Sequence, residues 1–204
     1  MPTWAIVPVK PFLHSKSRLA SILSPQERAG LSREFLGHVL DVLAQVPAVA
    51  QTLVISRDPE ALALARQRQA RTVTELGVLD LNKALRSATQ VALSLGADAV
   101  LILPTDLPFI SPDDIRQLAD ERARAPTVII APDRRERGTN ALFVRPPGLM
   151  AYAFGPDSFH THSELAARAG APARICRLPG TGLDIDLAED WELYQAYTRQ
   201  HVSA

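Results

Sequence analysis

The chain has 204 residues, 47% hydrophobic and 22% charged, enough apolar surface to bury a core of ordinary size. Its 22 basic and 22 acidic side chains cancel, which argues against binding nucleic acid or an anionic membrane through bulk charge. The apolar runs are too short to span a bilayer, the first residues lack the basic region of a signal peptide, and a single cysteine excludes an intrachain disulfide, so a cytoplasmic protein is expected, with Cys176 a small core residue on a late strand.

Trp4 to Val9 reads as a first strand. The loop after it carries Lys10, Lys16 and Arg18 with serines between, either to hold phosphates or simply as a solvated basic segment, since no glycine-rich cradle is present. Ser24-Pro-Gln-Glu27 is a capping box, and Leu31, Phe35, Val39, Leu40 and Leu43 predict a helix to about Val46. Thr52 to Ser56 is a second strand. Asp58-Pro59 caps a helix from Glu60 to about Gln69, and Arg71 to Thr74 is a short third strand. A helix from about Asp80 to Leu95 follows, with Asn82 in its first turn either facing a nucleotide or helping the cap.

The continuous apolar run Val100 to Leu103 predicts a strand buried on both faces. It delivers Asp106 between Pro104 and Pro108, where the carboxylate can hold a cation or satisfy turn amides. Ser111, Pro112 and Asp114 open a helix to about Ala123, and Thr127 to Ala131 is another strand. Strands and helices alternate to this point, which calls for a mostly parallel sheet with helices on both faces, a three-layer α/β architecture.

The pattern changes after Ala131. An arginine-rich loop precedes a strand from Asn140 to Val144; Asp157 or Ser158 caps a helix through Leu165 and Ala169; Ala173 to Leu178 is a last strand, so the C-terminal part of the sheet is expected to be mixed. A turn at 179–182 leads to Asp184-Ile185-Asp186 and a final helix from Ala188 to about Arg199. In an extended segment Asp184 and Asp186 point the same way, a costly pairing without a cation or donors. With Asp106 they make a hard-oxygen set suited to magnesium; the alternative for Asp186 is a helix cap, with Glu189 and Asp190 as first-turn partners of the helix dipole. Gly138-Thr139-Asn140 and Gly155 to Ser158 offer backbone amides and hydroxyls for a small anion, or plain turn chemistry, with charge available from Arg134, Arg135, Arg137 or Arg145.

These pieces carry a resemblance spanning essentially the whole chain. Val7-Pro-Val-Lys10 with Lys16-Ser-Arg-Leu19, Leu103-Pro-Thr-Asp-Leu-Pro108, Gly138-Thr-Asn140, Phe154-Gly-Pro-Asp-Ser-Phe159 and Asp184-Ile-Asp186 resemble the 2-phospho-L-lactate and phosphoenolpyruvate guanylyltransferases, within the glycosyltransferase-A-like (Rossmann-like) nucleotidyltransferases. The chain departs from the family pattern at His14-Ser15 and in the glycine-poor segment 77–80. The resemblance implies one nucleotidyltransferase domain over 1–204, with a nucleotide-binding half, 1–131, and an acceptor-binding and metal-completing half, 132–204. It implies GMP transfer from GTP to a small phosphorylated carboxylic acid, releasing pyrophosphate, in coenzyme F-420 biosynthesis. Carried over by motif, Asp106, Asp184 and Asp186 hold Mg2+; Thr139, Gly155 and Ser158 hold the acid; and Lys10, Lys16 and Arg18 lie near the GTP phosphates, with Asp106, Lys16 and Arg18 expected to be catalytic and Asn82, from its place in the first turn of its helix, expected to bind the nucleotide. Other readings are a molybdenum-cofactor or sugar-1-phosphate transferase, or a nucleotide-binding domain without catalysis. A monomer or homodimer is expected, with no nucleic-acid or membrane partner.

Overall fold

The first strand, β1 (Thr3–Val9), lies inside the sheet, with β2 (Val49–Ser56) parallel on one side and β4 (Ala99–Ile102) parallel on the other. The computed structural model describes residues 2–77, 79–120 and 124–202, the last three by backbone alone. Beyond β2 lies β3 (Arg71–Thr74), also parallel. On the other side β6 (Thr139–Arg145) is inserted antiparallel between β4 and β5 (Thr127–Pro132), and β7 (Arg174–Ile175) closes the edge parallel to β5. The order β3-β2-β1-β4-β6-β5-β7 gives one sheet running through both halves of the chain. β7 is shorter than the expected strand from Ala173 to Leu178, and Cys176 follows it half-buried, its amide donating to Ile130 O.

Helices cover both faces because strand residues are apolar on both. Ala5, Val7, Leu101 and Phe143 pack against α1 (Pro25–Ala44), α2 (Pro59–Gln67) and α4 (Pro112–Leu118). Trp4, Ile6, Ile102 and Leu142 pack against α3 (Leu81–Ser94) and α5 (Ser158–Arg168). The last helix, α6 (Ala188–Val202), brings Trp191 and Tyr194 onto a third cluster of Leu19, Leu31, Phe35 and Ile185.

The caps of α1 to α4 form as the sequence predicts, whereas Asp157, at the N-cap of α5, makes no side-chain cap hydrogen bond. Ser24 and Glu27 form the reciprocal box, Asp58 accepts Glu60 N, Asp80 accepts Lys83 N, and Ser111 pairs with Asp114. The helix expected to reach Ala123 stops at Leu118; residues 121–123 lie outside the described residues.

The path divides at β1 and β4: α1 returns the chain toward β2, whereas the chain after β4 passes through α4 to β5 on the other side. A reversal of strand order opens a crevice beyond the carboxyl ends of the strands, where ligands bind in such sheets. Because β6 is antiparallel, its first residue, Thr139, comes to that same edge.

Candidate active site

A cavity of about 1100 Å³ occupies this edge, with Lys10, Lys16, Arg18, Asp106, Thr139, Gly155, Ser158, Asp184 and Asp186 all on its wall. Pockets for a small molecule commonly measure about 300–1000 Å³, so this one is at the large end of the range.

The loop after β1 folds as two short 3-10 turns, Phe12–His14 and Ser17–Leu19. Asp58 holds it by accepting Phe12 N at 2.8 Å, and Ser15 Oγ donates to Phe12 O at 2.7 Å while meeting Ser32 Oγ. Ser15, where the chain leaves the family pattern, is thus a buried anchor. Lys16, between the turns, has a left-handed backbone (φ 52) that directs its chain inward. Its Nζ donates to Ile185 O at 2.7 Å and lies 3.5 Å from Asp106 Oδ2. Ile185 N in turn donates to Asp106 O, joining the two acidic loops through backbone.

Ile185 is fully buried, and the aspartates on either side of it face the cavity, the alternation expected of an extended segment. Asp184 accepts Asn140 Nδ2 at 3.2 Å, and Asn140 also donates to Thr181 O. Burial, then the neighbouring charge of Asp106, pushes Asp184 up to about 6, with a smaller contribution from Asp186. Asp186 pairs with Arg18 at 3.2 Å at the open mouth. It is not the side-chain cap of α6: Asp190 takes that place, accepting Asp186 N and Leu187 N.

Among the described residues no three His, Cys, Asp or Glu side chains form a ready-made metal cluster. The donor set nevertheless fits a hard divalent ion. Asp184 is a half-buried carboxylate facing Asp106 with no ion pair among the described residues, and magnesium is commonly held by one or two carboxylates and completed by substrate phosphates and water.

On the opposite wall, Ser158 opens α5. Its Oγ accepts Thr139 N at 3.0 Å, while Thr139 Oγ1 meets His162 Nδ1 at 2.9 Å. Gly155 has φ +148, and a Cβ added there would meet nothing, which leaves its backbone approachable. His162 was not read from the sequence as a site residue. It lies four residues after Ser158, hence on the same helix face, and that spacing was the available signal.

Asn82 and Arg145 stand elsewhere. Asn82 does not stand on the cavity wall; its amide donates to Phe154 O at 3.1 Å and accepts Phe154 N at 2.8 Å, so it holds the loop that carries Gly155. Arg145, at the far end of antiparallel β6, lies opposite Thr127 on the other edge of the sheet. The remaining arginines all line the cavity: Arg134 is tied to Asp190 at 2.7 Å and Arg135 to Glu189, whereas Arg137 makes no ion pair among the described residues.

The family model described as "Guanylyl transferase CofC like" matches residues 3–194. A phosphoenolpyruvate guanylyltransferase of Rubrobacter xylanophilus is 40% identical over 190 residues, 93% of this chain and 92% of that protein. A 2-phospho-L-lactate guanylyltransferase of Methanothermobacter thermautotrophicus is 38% identical over 93% of this chain and 82% of that protein. A solved nucleotidyl transferase from Methanothermobacter superposes with a TM-score of 0.72 at 19% identity, covering 98% of this chain and 99% of that one, a likeness of fold. The chain belongs to the guanylyl transferase family and has the glycosyltransferase-A-like fold of the nucleotidyltransferases.

Proposed function

We propose that this protein transfers GMP from GTP to the phosphate of a small phosphorylated carboxylic acid, phosphoenolpyruvate in the first instance, and releases pyrophosphate. The observation that carries the reading is that Asp106, Asp184, Asp186, Thr139 and Ser158 all line one cavity in a chain of this family. Phosphoenolpyruvate is favoured over 2-phospho-L-lactate because relatives at 40% and 41% identity bear its name. The product of this reaction is an enolpyruvoyl-diphospho-guanosine, for use in coenzyme F-420 biosynthesis on this reading.

In this mechanism an oxygen of the acid's phosphate attacks the α-phosphorus of GTP in line. The new P–O bond forms as the bond to the β-phosphate oxygen breaks, and the electron pair leaves on pyrophosphate. No protein nucleophile is needed, so the protein contributes position and charge. Lys16, buried and fixed between the acidic loops, neutralises the triphosphate; Arg18 and Lys10 add charge at the mouth. Thr139, Ser158 and the Gly155 backbone hold the acid. Asp106, Asp184 and Asp186 are the residues to hold Mg2+, which when bound offsets charge on the transferring and leaving phosphates.

The direct test is pyrophosphate release with GTP and phosphoenolpyruvate while magnesium is titrated. Release that requires both substrates and rises with magnesium is expected. Release without the acid, or none with any phosphorylated acid, would remove the reading.

A further inference from the structure

His162 sits behind the cavity wall at Thr139, fully buried, with both ring nitrogens engaged. Ala153 donates its backbone N–H to Nε2 at 2.9 Å. A backbone amide only donates, so Nε2 accepts and carries no hydrogen. A neutral imidazole keeps one N–H, and here it must be on Nδ1, 2.9 Å from Thr139 Oγ1. Burial pushes His162 down to about 4, so the ring is neutral at ordinary pH and this tautomer persists.

The hydroxyl of Thr139 therefore accepts from behind, and its own hydrogen remains to be donated. Ser158 follows the same logic: its Oγ accepts Thr139 N–H, which leaves its O–H as a donor. Both residues line the cavity while His162 stands outside it. Two hydroxyls fixed as donors suit an oxyanion, which only accepts, and disfavour a group that must donate.

We propose that His162 is a positioning residue for the acid subsite: through Nδ1–H it sets the Thr139 hydroxyl as a donor to the oxyanion of the phosphorylated acid. The identity of that anion rests on the guanylyl-transfer reading; the tautomer does not.

A merely structural His162 would act by holding Ala153. Two substitutions separate the roles. His162→Asn places an amide nitrogen near Nδ1 and keeps the bond to Thr139; His162→Gln places its amide oxygen near Nε2 and keeps the bond to Ala153. Loss of one hydrogen bond to a charged group corresponds to about a tenfold rise in the phosphoenolpyruvate KM of His162→Gln, with the GTP KM unchanged and His162→Asn within about twofold of wild type. Thr139→Val should raise the phosphoenolpyruvate KM at least as much as His162→Gln, and the double variant should be no worse than Thr139→Val alone, because His162 acts only through the Thr139 hydroxyl. The proposal is overturned if His162→Gln is the milder substitution, if both KM values rise together, or if the two losses add. Should the His162 variants not fold, side-chain 15N NMR of the wild-type protein decides: Nδ1 protonated and Nε2 bare is expected, and a proton on Nε2 would overturn it. A wild-type protein that transfers no GMP would sink the proposed function alone, because the NMR result stands independently of turnover.

Discussion

Lys16 Nζ donates to the backbone oxygen of Ile185 at 2.7 Å across 169 residues of sequence. The same ammonium lies 3.5 Å from Asp106, so one cation pins together the loop after β1, the loop after β4 and the segment before α6. Its side chain is only 7% exposed, and it stacks over Phe35 at 5.8 Å, which restricts it to this position. Lys16→Met keeps the stem and removes the charge. Turnover should fall by about 10²–10³, the usual cost of losing a key charge-stabilising contact, while circular dichroism remains that of the wild type. A folded Lys16→Met protein with near-normal turnover would remove Lys16 from the chemistry.

Asp184 gives a prediction in pH and magnesium. Burial first, then Asp106 and Asp186, raise it from 3.8 to about 6. Between those values the folded state binds more protons than the unfolded one, so the metal-free protein loses stability as pH rises through that window, by up to about 3 kcal/mol. Asp184→Asn should therefore have a higher Tm than wild type at neutral pH without magnesium. Magnesium must displace the proton, so its stabilisation of the wild type should grow as pH rises through about 6 and should be largely lost in Asp184→Asn. Thermal melts of both proteins, with and without magnesium, at mildly acid and neutral pH, check this; an equal magnesium shift in the two would contradict it.

Ser158 tests the acid side independently. Ser158→Ala removes a donor to the proposed oxyanion and orphans Thr139 N. Hydrogen bonds to charged groups are worth about 1.5–3 kcal/mol, so the KM for the acid should rise about 10- to 100-fold with little change for GTP. Steady-state kinetics with each substrate varied in turn distinguishes this from a parallel rise in both, the mark of a structural serine.

Gly180 lies in the turn at Pro179–Thr181 that presents Thr181 O to Asn140. A Cβ there would fall 2.2 Å from Asp114 Oδ2 and 2.5 Å from Phe109 O. The carboxylate is fixed by the α4 capping box and the carbonyl is backbone, so neither yields cheaply. Gly180→Ala should cost about 1–3 kcal/mol, the range for overpacking. Chemical denaturation measures it; a loss within about 0.5 kcal/mol, the range of ordinary surface substitutions, would mean that the turn relaxes.

Local chemistry made much of this molecule legible. Ser24, Asp58 and Ser111 announce their helices because capping depends on neighbours a few residues away. Asp184 and Asp186 reach one side because alternation is a property of extended backbone. Strand direction is not local: a mixed C-terminal part of the sheet is expected from the sequence, but the apolar run in β6 reads the same both ways, so its place, antiparallel between β4 and β5, is not legible there. Asn82 shows the same limit. Its place in the first turn of α3 was visible, but its partner, Phe154, is 72 residues away.

The most direct test of the central claim is mass spectrometry of the products formed from GTP and magnesium with phosphoenolpyruvate, 2-phospho-L-lactate and 3-phosphoglycerate supplied together, for the wild type and Asp106→Asn. The account predicts a guanosine diphospho-adduct of a phosphorylated acid, chiefly phosphoenolpyruvate, from the wild type and essentially none from the folded variant. An equal yield from both proteins, or no adduct from the wild type, would contradict it.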